Sequence, residues 1–289
     1  MAEGSPMVDF SIVTPSFKQV DWLELCAASI ADQQGLTCEH IVQDGGSGEA
    51  IEAWKKRHPE VQVFEESDDG MYDAINRGLK RAQGRFCAYL NCDEQYLPGA
   101  LAEVAAYFDA HPEVDVVFGD AIVVDDKGEY LCQRQTLVPN ALHTATCHLS
   151  VLTCATFYRR SIVDRGLLFD PAWRDVGDSA WMVKLIRNKV RMAHLPRFTT
   201  TFAETGDNMG LKDNARREAR LARELAGVFA GVMRPFFAWH HRFRRLLAGY
   251  YFPKKSSYSI YTHQSPRRRV NFDVERPTFI WPNRMRAFQ

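Results

Sequence analysis

Apolar residues in the first half of the chain fall into two alternating rhythms. Short runs at 9–14, 38–43, 61–64 and 86–90 are nearly continuous in apolar or aromatic residues, as in strands buried on both faces. Between them lie longer stretches with apolar residues three or four apart: Trp22, Leu23, Cys26, Ala27 and Ile30 within 20–33, then 49–57, 71–82 and 100–110. Strand and helix in alternation require a parallel sheet with helices on its faces, so the expected fold class is α/β. A fifth run at 114–118 continues the pattern. Near residue 120 it lapses, and 122–124 and 130–132 flank Asp125-Asp126-Lys127-Gly128 as a hairpin.

The early strands end in polar turns. Asp44-Gly45-Gly46-Ser47-Gly48 follows the second, Glu65 to Gly70 the third, and Asn91-Cys92-Asp93-Glu94 the fourth. Ligands of open α/β sheets collect at those carboxyl ends. Glycines let a backbone approach a ligand closely, and a carboxylate such as Asp44 can accept hydrogen bonds from a base or ribose. The adjacent acids Asp93 and Glu94 repel each other unless a cation lies between them, and their hard oxygens suit Mg2+ or Mn2+ holding a phosphate. A solvated turn, with Ser47 as a helix cap, has the same composition. No Gly-x-Gly-x-x-Gly or Gly-x-x-x-x-Gly-Lys pattern supports a dinucleotide or P-loop site. On helix 71–82, Asp73, Asn76, Arg77 and Lys80 share one face beside the third strand end, which makes that face a candidate site wall.

A formal net charge of zero conceals an asymmetry: residues 1–233 sum to −10 and residues 234–289 to +10. Residues 212–233 read as a helix striped by Leu221, Leu225, Val228, Phe229 and Val232. Beyond Pro235, a second stripe of Phe236, Trp239, Phe243, Leu246, Leu247 and Tyr250 is flanked by Arg242, Arg244 and Arg245. Such a helix either lies in a lipid interface, aided by Lys254, Lys255, Arg267, Arg268 and Arg269, or packs on the body or on a second subunit of a homo-oligomer. Phosphate contacts and base stacking by this tail are also conceivable, but no nucleic-acid module occurs and the body is acidic, so no nucleic-acid partner is expected. The expected organisation is a domain over 1–210, split near 120, followed by a helical, basic and aromatic extension over 211–289. Seven dispersed cysteines without a Cys-x-x-Cys pair, no signal-peptide pattern and no apolar run near ~20 residues point to the cytoplasm, with contact at most peripheral on the inner face of a membrane. His143 and His148 lack metal-ligand spacing and read as structural or acceptor-loop residues.

In order along the chain stand Thr14-Pro15-Ser16-Phe17, Asp44-Gly45-Gly46-Ser47, the segment 66–78 from Glu66-Ser67-Asp68-Asp69-Gly70 to Asn76-Arg77-Gly78, Ala82-Gln83-Gly84 and Leu90-Asn91-Cys92-Asp93-Glu94. Together they resemble the nucleotide-sugar half of a family-2 glycosyltransferase with the GT-A fold, a Rossmann-like, mainly parallel sheet. The resemblance covers residues 8–205. It implies that Pro15, Ser16, Asp44 and Gly45 hold the nucleoside, and that Asp68, Asn76 and Arg77 line its pocket. It places Asn91, Asp93 and Glu94 in the acidic motif for a divalent cation, with Asp93 the direct ligand and Glu94 acting through water or not at all. The Asn at the first position and the Glu after the last Asp depart from the usual form.

Residues 173–185 carry Gly177-Asp178 at the start of a helix. Asp178 could simply cap it. The resemblance implies instead a general base there, Asp178 with Asp175 in reserve. The activity so implied is inverting transfer from a nucleotide sugar, a UDP-sugar in the first instance, to a glycan or lipid-linked acceptor. An inactive sugar-nucleotide-binding or scaffolding protein of the same fold is the alternative. Thr153-Cys154 replaces the family's His-Gln before Ala155-Thr156-Phe157-Tyr158, and Thr205-Gly206-Asp207-Asn208 is either a loop over the phosphates or a linker.

Overall fold

A computed structural model describes residues 8–205, 217–218, 221 and 232–282. The first half follows the alternation: β1 (Phe10–Ser16), α1 (Val20–Ala31), β2 (Cys38–Asp44), α2 (Glu49–Arg57), β3 (Gln62–Glu65), α3 (Met71–Arg81) and β4 (Phe86–Tyr89). These strands pair in parallel in the order β3-β2-β1-β4. Alternate residues of β1 and β4 feed two cores. Phe10, Ile12, Phe86 and Ala88 pack with Cys26 and Ile30 of α1 and with Leu101, Val104 and Phe108 of α4 (Ala100–Ala110). Val13, Cys87 and Tyr89 pack on the other face with Ile75 and Leu79 of α3. Helix-covered faces on both sides explain why these strands read as unbroken apolar runs.

The remaining strands are β5 (Glu94–Tyr96), β6 (Val116–Asp125), β7 (Tyr130–Arg134), β8 (Thr156–Arg159) and β9 (Met192–Glu204). They extend the same sheet to nine strands, with antiparallel pairings at β4–β8, β6–β8, β6–β7 and β5–β9 and a parallel one at β6–β9. The runs at 114–118 and 122–124, expected as separate strands, are one strand, β6. Gly119-Asp120 does not turn the chain, because Asp120 is buried, accepting from the Thr136 amide and paired with His194 at 2.7 Å. The short helices α5 (Ala141–Thr146) and α6 (Ser161–Asp164) precede α7 (Gly177–Arg187), whose Trp181, Met182 and Leu185 complete the core above β4.

The extension begins as a helix, α8 (Arg234–Leu247), and continues as an unforeseen antiparallel hairpin, β10 (Ser256–Thr262) with β11 (Ser265–Val274). The expected helix over 212–233 lies largely outside the described residues. Tyr258, Ile260 and Val274 of the hairpin bury against Leu97, Ile122 and Val124. The Gln95 side-chain amide bonds both ways to the Tyr261 backbone, at 2.9 Å each. Arg269, for which lipid contact and packing on the acidic body were both open, takes the second course: it makes a two-pronged bond to the Asp32 carboxylate and donates to the Tyr96 and Ser259 carbonyls, its side chain only 11% exposed. Lys255 is likewise paired, with Glu275. Arg269→Ala strands a half-buried carboxylate and two carbonyls, and a loss of about 2–3 kcal/mol is expected as a lower urea midpoint. An unchanged midpoint would contradict the clamp.

On α8 the stripe faces away from the body. Phe236, Trp239, Phe243, Leu246 and Leu247 are exposed, Trp239 to 60%, while His241 is buried. Among the described residues, no helix is long and apolar enough to cross a membrane.

Candidate active site

Because β3, β2, β1 and β4 are neighbours in parallel, their carboxyl ends form one rim, and the residues singled out at four separate turns come together there. Ser16 ends β1 beside Asp44 at the end of β2, and the Gly45 amide donates to the Ser16 carbonyl at 2.9 Å. The Ser16 hydroxyl is buried and lies against the Cys92 thiol of the turn after β4. The Asp44 carboxylate, fully buried, accepts from the Gly46 and Ser47 amides and from the Ser47 hydroxyl, which holds the glycine turn open at the rim.

Gly45 is required by close approach. A Cβ there would lie 2.7 Å from Oδ2 of Asp68, which reaches over from the β3–α3 turn and accepts the Gly70 amide. Phe17, 58% exposed, stands at the same lip with the Lys18 ammonium over its ring, an aromatic surface that sequence reading overlooked. The apolar residue directly after a strand end was its only signal.

Two expected pocket residues do other work. Asn76 is buried, its side-chain amide bonding the Phe169 backbone N–H and C=O at 3.0 and 2.9 Å, so it staples α3 to the segment before α7 instead of facing a nucleotide. Arg77 donates to the Ser67 carbonyl and pairs with Asp73 and Glu66, bracing the acidic turn from outside. The shared polar face expected of them is not found: Asn76 points into the protein, whereas Arg77 lies along its surface.

After β4 the chain turns tightly. The Asn91 amide donates to Oε2 of Glu94 at 2.8 Å, and the Cys92 thiol to the Pro15 carbonyl, tying this turn to the end of β1. Glu94 is fully buried and faces inward, whereas Asp93 is half-buried at the rim. Burial raises the pKa of both carboxyls, and the charge on Asp93 raises that of Glu94 further. Such a pair resists double ionisation unless a cation is supplied, and its oxygens are the donors a hard divalent ion prefers.

Across the cleft, Asp178 is the second residue of α7 and is half-buried. It is not the cap residue. Val176 occupies that position without a side-chain bond, and the Glu218 carboxylate accepts the amides of Arg174, Asp175 and Val176 at 2.8–3.0 Å. Glu218, more than forty residues downstream, was missed because nothing local marks it. Asp178 accepts the Ser179 amide at 2.7 Å. Its own amide donates to the Tyr72 hydroxyl at 3.1 Å. Tyr72 lies in the first turn of α3, and Gly177 admits its ring: a Cβ there would fall 2.5 Å from it. The rim at the strand ends and Asp178 are thus held in fixed relation through one aromatic side chain. Asp175 lies three residues earlier, in the loop clamped by Glu218. Arg174, also missed from sequence, extends a guanidinium toward Gly70 at the start of α3.

Residues 11–166 match the family described as "Glycosyl transferase family 2". The chain is 34% identical over 169 residues to a PGL/p-HBAD biosynthesis glycosyltransferase of Mycobacterium bovis, covering 55% of this chain and 61% of the relative. It is 33% identical over 128 residues to the amylovoran biosynthesis glycosyltransferase AmsE of Erwinia amylovora, covering 42% of this chain and 47% of the other. Less than two thirds of either relative is therefore spanned. In fold it is similar to S. aureus TarS 1-349 in complex with UDP-GlcNAc, with a TM-score of 0.60 at 17% identity, over 86% of this chain and 76% of that one. It is also similar to the mannosyltransferase PcManGT of Pyrobaculum calidifontis in complex with GDP-Man and Mn2+, with a TM-score of 0.51 at 15% identity, over 86% and 77%.

Proposed function

Since the chain belongs to glycosyl transferase family 2, and is thus a glycosyltransferase that uses a nucleotide sugar, we propose that it works by inversion, with Asp178 as general base and Asp93 as the ligand of a divalent cation. The carrying observation is the convergence of Ser16, Asp44, Asp68 and Asp93 on one rim, to which Asp178 is tied through Tyr72. Ser16, Asp44 and the Gly45 turn take the nucleoside, and Asp68 closes the pocket from the β3 side. Asp93 would hold Mn2+ or Mg2+, with Glu94 fixing the turn by accepting the Asn91 amide. When bound, the ion supplies Lewis-acid stabilisation of the negative charge that develops on the departing diphosphate.

Asp178 takes the proton of the acceptor hydroxyl as that oxygen forms its bond to the anomeric carbon. The sugar–phosphate bond breaks on the opposite side, its electron pair leaving with the nucleoside diphosphate. Tyr72 and the Glu218-clamped loop hold the base in place. The two adjacent buried carboxyls favour this reading over that of an inactive scaffold, since such a pair is costly in a protein that binds nothing there.

The test is thermal unfolding of the full chain with a panel of nucleotide sugars and Mn2+. One donor, a UDP-sugar on this reading, is expected to raise Tm by several degrees and to release nucleoside diphosphate with a glycan or lipid-linked acceptor. Failure of every nucleotide sugar to do either would overturn the proposal. The cation's effect should depend on pH. The raised folded-state pKa values of Asp93 and Glu94 mean that these groups stabilise the fold while protonated and cease to do so as pH rises past the ordinary carboxylate range. Mn2+ competes with their protons, so its stabilisation grows from pH 5.5 to pH 8. A shift independent of pH would place the ion elsewhere.

We further infer that α8 meets an anionic membrane surface. Its exposed Phe236, Trp239 and Phe243 would enter the interface beside Arg242 and Arg234. Flotation with phosphatidylserine liposomes is expected for the intact chain and reduced in Trp239→Ser/Phe243→Ser; equal flotation would exclude this role and leave a second subunit as occupant of the stripe.

A further inference from the structure

Three histidines far apart in sequence meet where α8 crosses α5. The rings of His143 and His241 stack with centroids 4.0 Å apart, and His148 lies edge-on to both, at 4.6 and 5.3 Å. One ring nitrogen from each lies within 4.8 Å of the other two. His143 and His241 are buried and His148 is exposed. Nε2 of His143 has no hydrogen-bond partner in this buried position. A buried imidazole nitrogen without a partner is unfavourable, and an incoming ligand for its lone pair would remove that cost.

From this juxtaposition we propose a second metal site, made by His143, His148 and His241, that takes a borderline divalent ion of the zinc class and pins helix α8 to the body. Three neutral imidazoles suit Zn2+, Cu2+, Ni2+ or Co2+, and not the hard, oxygen-seeking Mg2+ or Mn2+ expected at Asp93. Positive neighbours oppose a cation, and their placement limits that opposition. The Arg244 guanidinium donates to the Val138 carbonyl, and that of Arg245 lies over the Tyr250 ring at 3.7 Å. Donor nitrogens of a tetrahedral zinc site are about 3.4 Å apart, given Zn–N bonds of about 2.0–2.1 Å. The stacked His143 and His241 rings are only 14° from parallel, so binding requires one of them to turn about its Cβ–Cγ bond until the two in-plane lone pairs converge, and His148 to rotate toward them. A fourth position, on that exposed side, is left to water.

The site would regulate how firmly α8 is held, because His143 and His148 belong to the body and His241 to the helix. Its test is zinc titration of the chelator-treated full chain, followed by calorimetry and by X-ray absorption at the zinc edge. Expected are one bound zinc with a first shell of imidazole nitrogens, and slower amide exchange over α8. His148→Ala and His241→Ala should each weaken zinc by at least about 100-fold. His148→Ala alters an exposed residue, so it stays informative if His241→Ala misfolds. Asp93→Asn should leave zinc binding unchanged, which separates this site from the proposed donor site. Absence of zinc binding at micromolar concentration, or binding that survives His148→Ala with full affinity, would overturn the proposal.

Discussion

Asp178→Asn is expected to lower kcat for sugar transfer by about 10^3-fold, within the 10^2–10^4 range of a general base, while leaving donor affinity unchanged. The substitution is nearly isosteric. It keeps an oxygen for the Ser179 amide and does not disturb the Asp178 backbone bond to Tyr72, so a folding defect is not expected. What it removes is a carboxylate able to receive the acceptor's proton. If the variant retains a tenth or more of wild-type turnover, the base is another group, and Asp175 in the clamped loop becomes the next to replace. A rise in KM for the donor with kcat unchanged would instead assign Asp178 to binding.

Asp93→Asn should separate activity from stability. Removing one of two mutually repelling carboxyls relieves the native state, so in the absence of metal the variant is expected to be more stable than wild type at pH 8, by on the order of 1 kcal/mol. The gain vanishes as pH falls and the wild-type carboxyls take up protons, since their folded-state pKa values are raised. Mn2+-dependent release of nucleoside diphosphate, by contrast, should fall by more than about 100-fold, the scale of losing a charged electrostatic contact at a reacting centre. A gain of stability with loss of activity is the signature of a residue retained for its chemistry. Equal loss of both would mean that Asp93 is structural.

The strands and helices of the first half were legible because each is short, periodic and closed by a local signal. The turns at Asp44, Asp68 and Asp93 were legible for the same reason, each ending a strand whose neighbours the alternation implied. Partners distant in the chain were not. Asn76 binds the Phe169 backbone, Glu218 caps a helix forty residues before it, and His241 joins two histidines nearly a hundred residues away. No spacing rule reaches across such separations. The tail misled in a different way: β11 carries Arg267, Arg268 and Arg269 in sequence, and only the packed hairpin shows that the third is turned inward to Asp32 while its neighbours stay exposed.

Arg269 and Gln95 latch the hairpin of residues 256–274 onto α1 and β5, elements made more than 150 residues earlier. During synthesis the early strands can leave the ribosome and pair long before this latch exists. Asp32 and the edge at Gln95 must then wait uncovered while more than half the polypeptide is still being translated. A ribosome stalled ahead of codon 256 would therefore present a nearly finished sheet with one open seam, the stretch where a chaperone has most reason to bind.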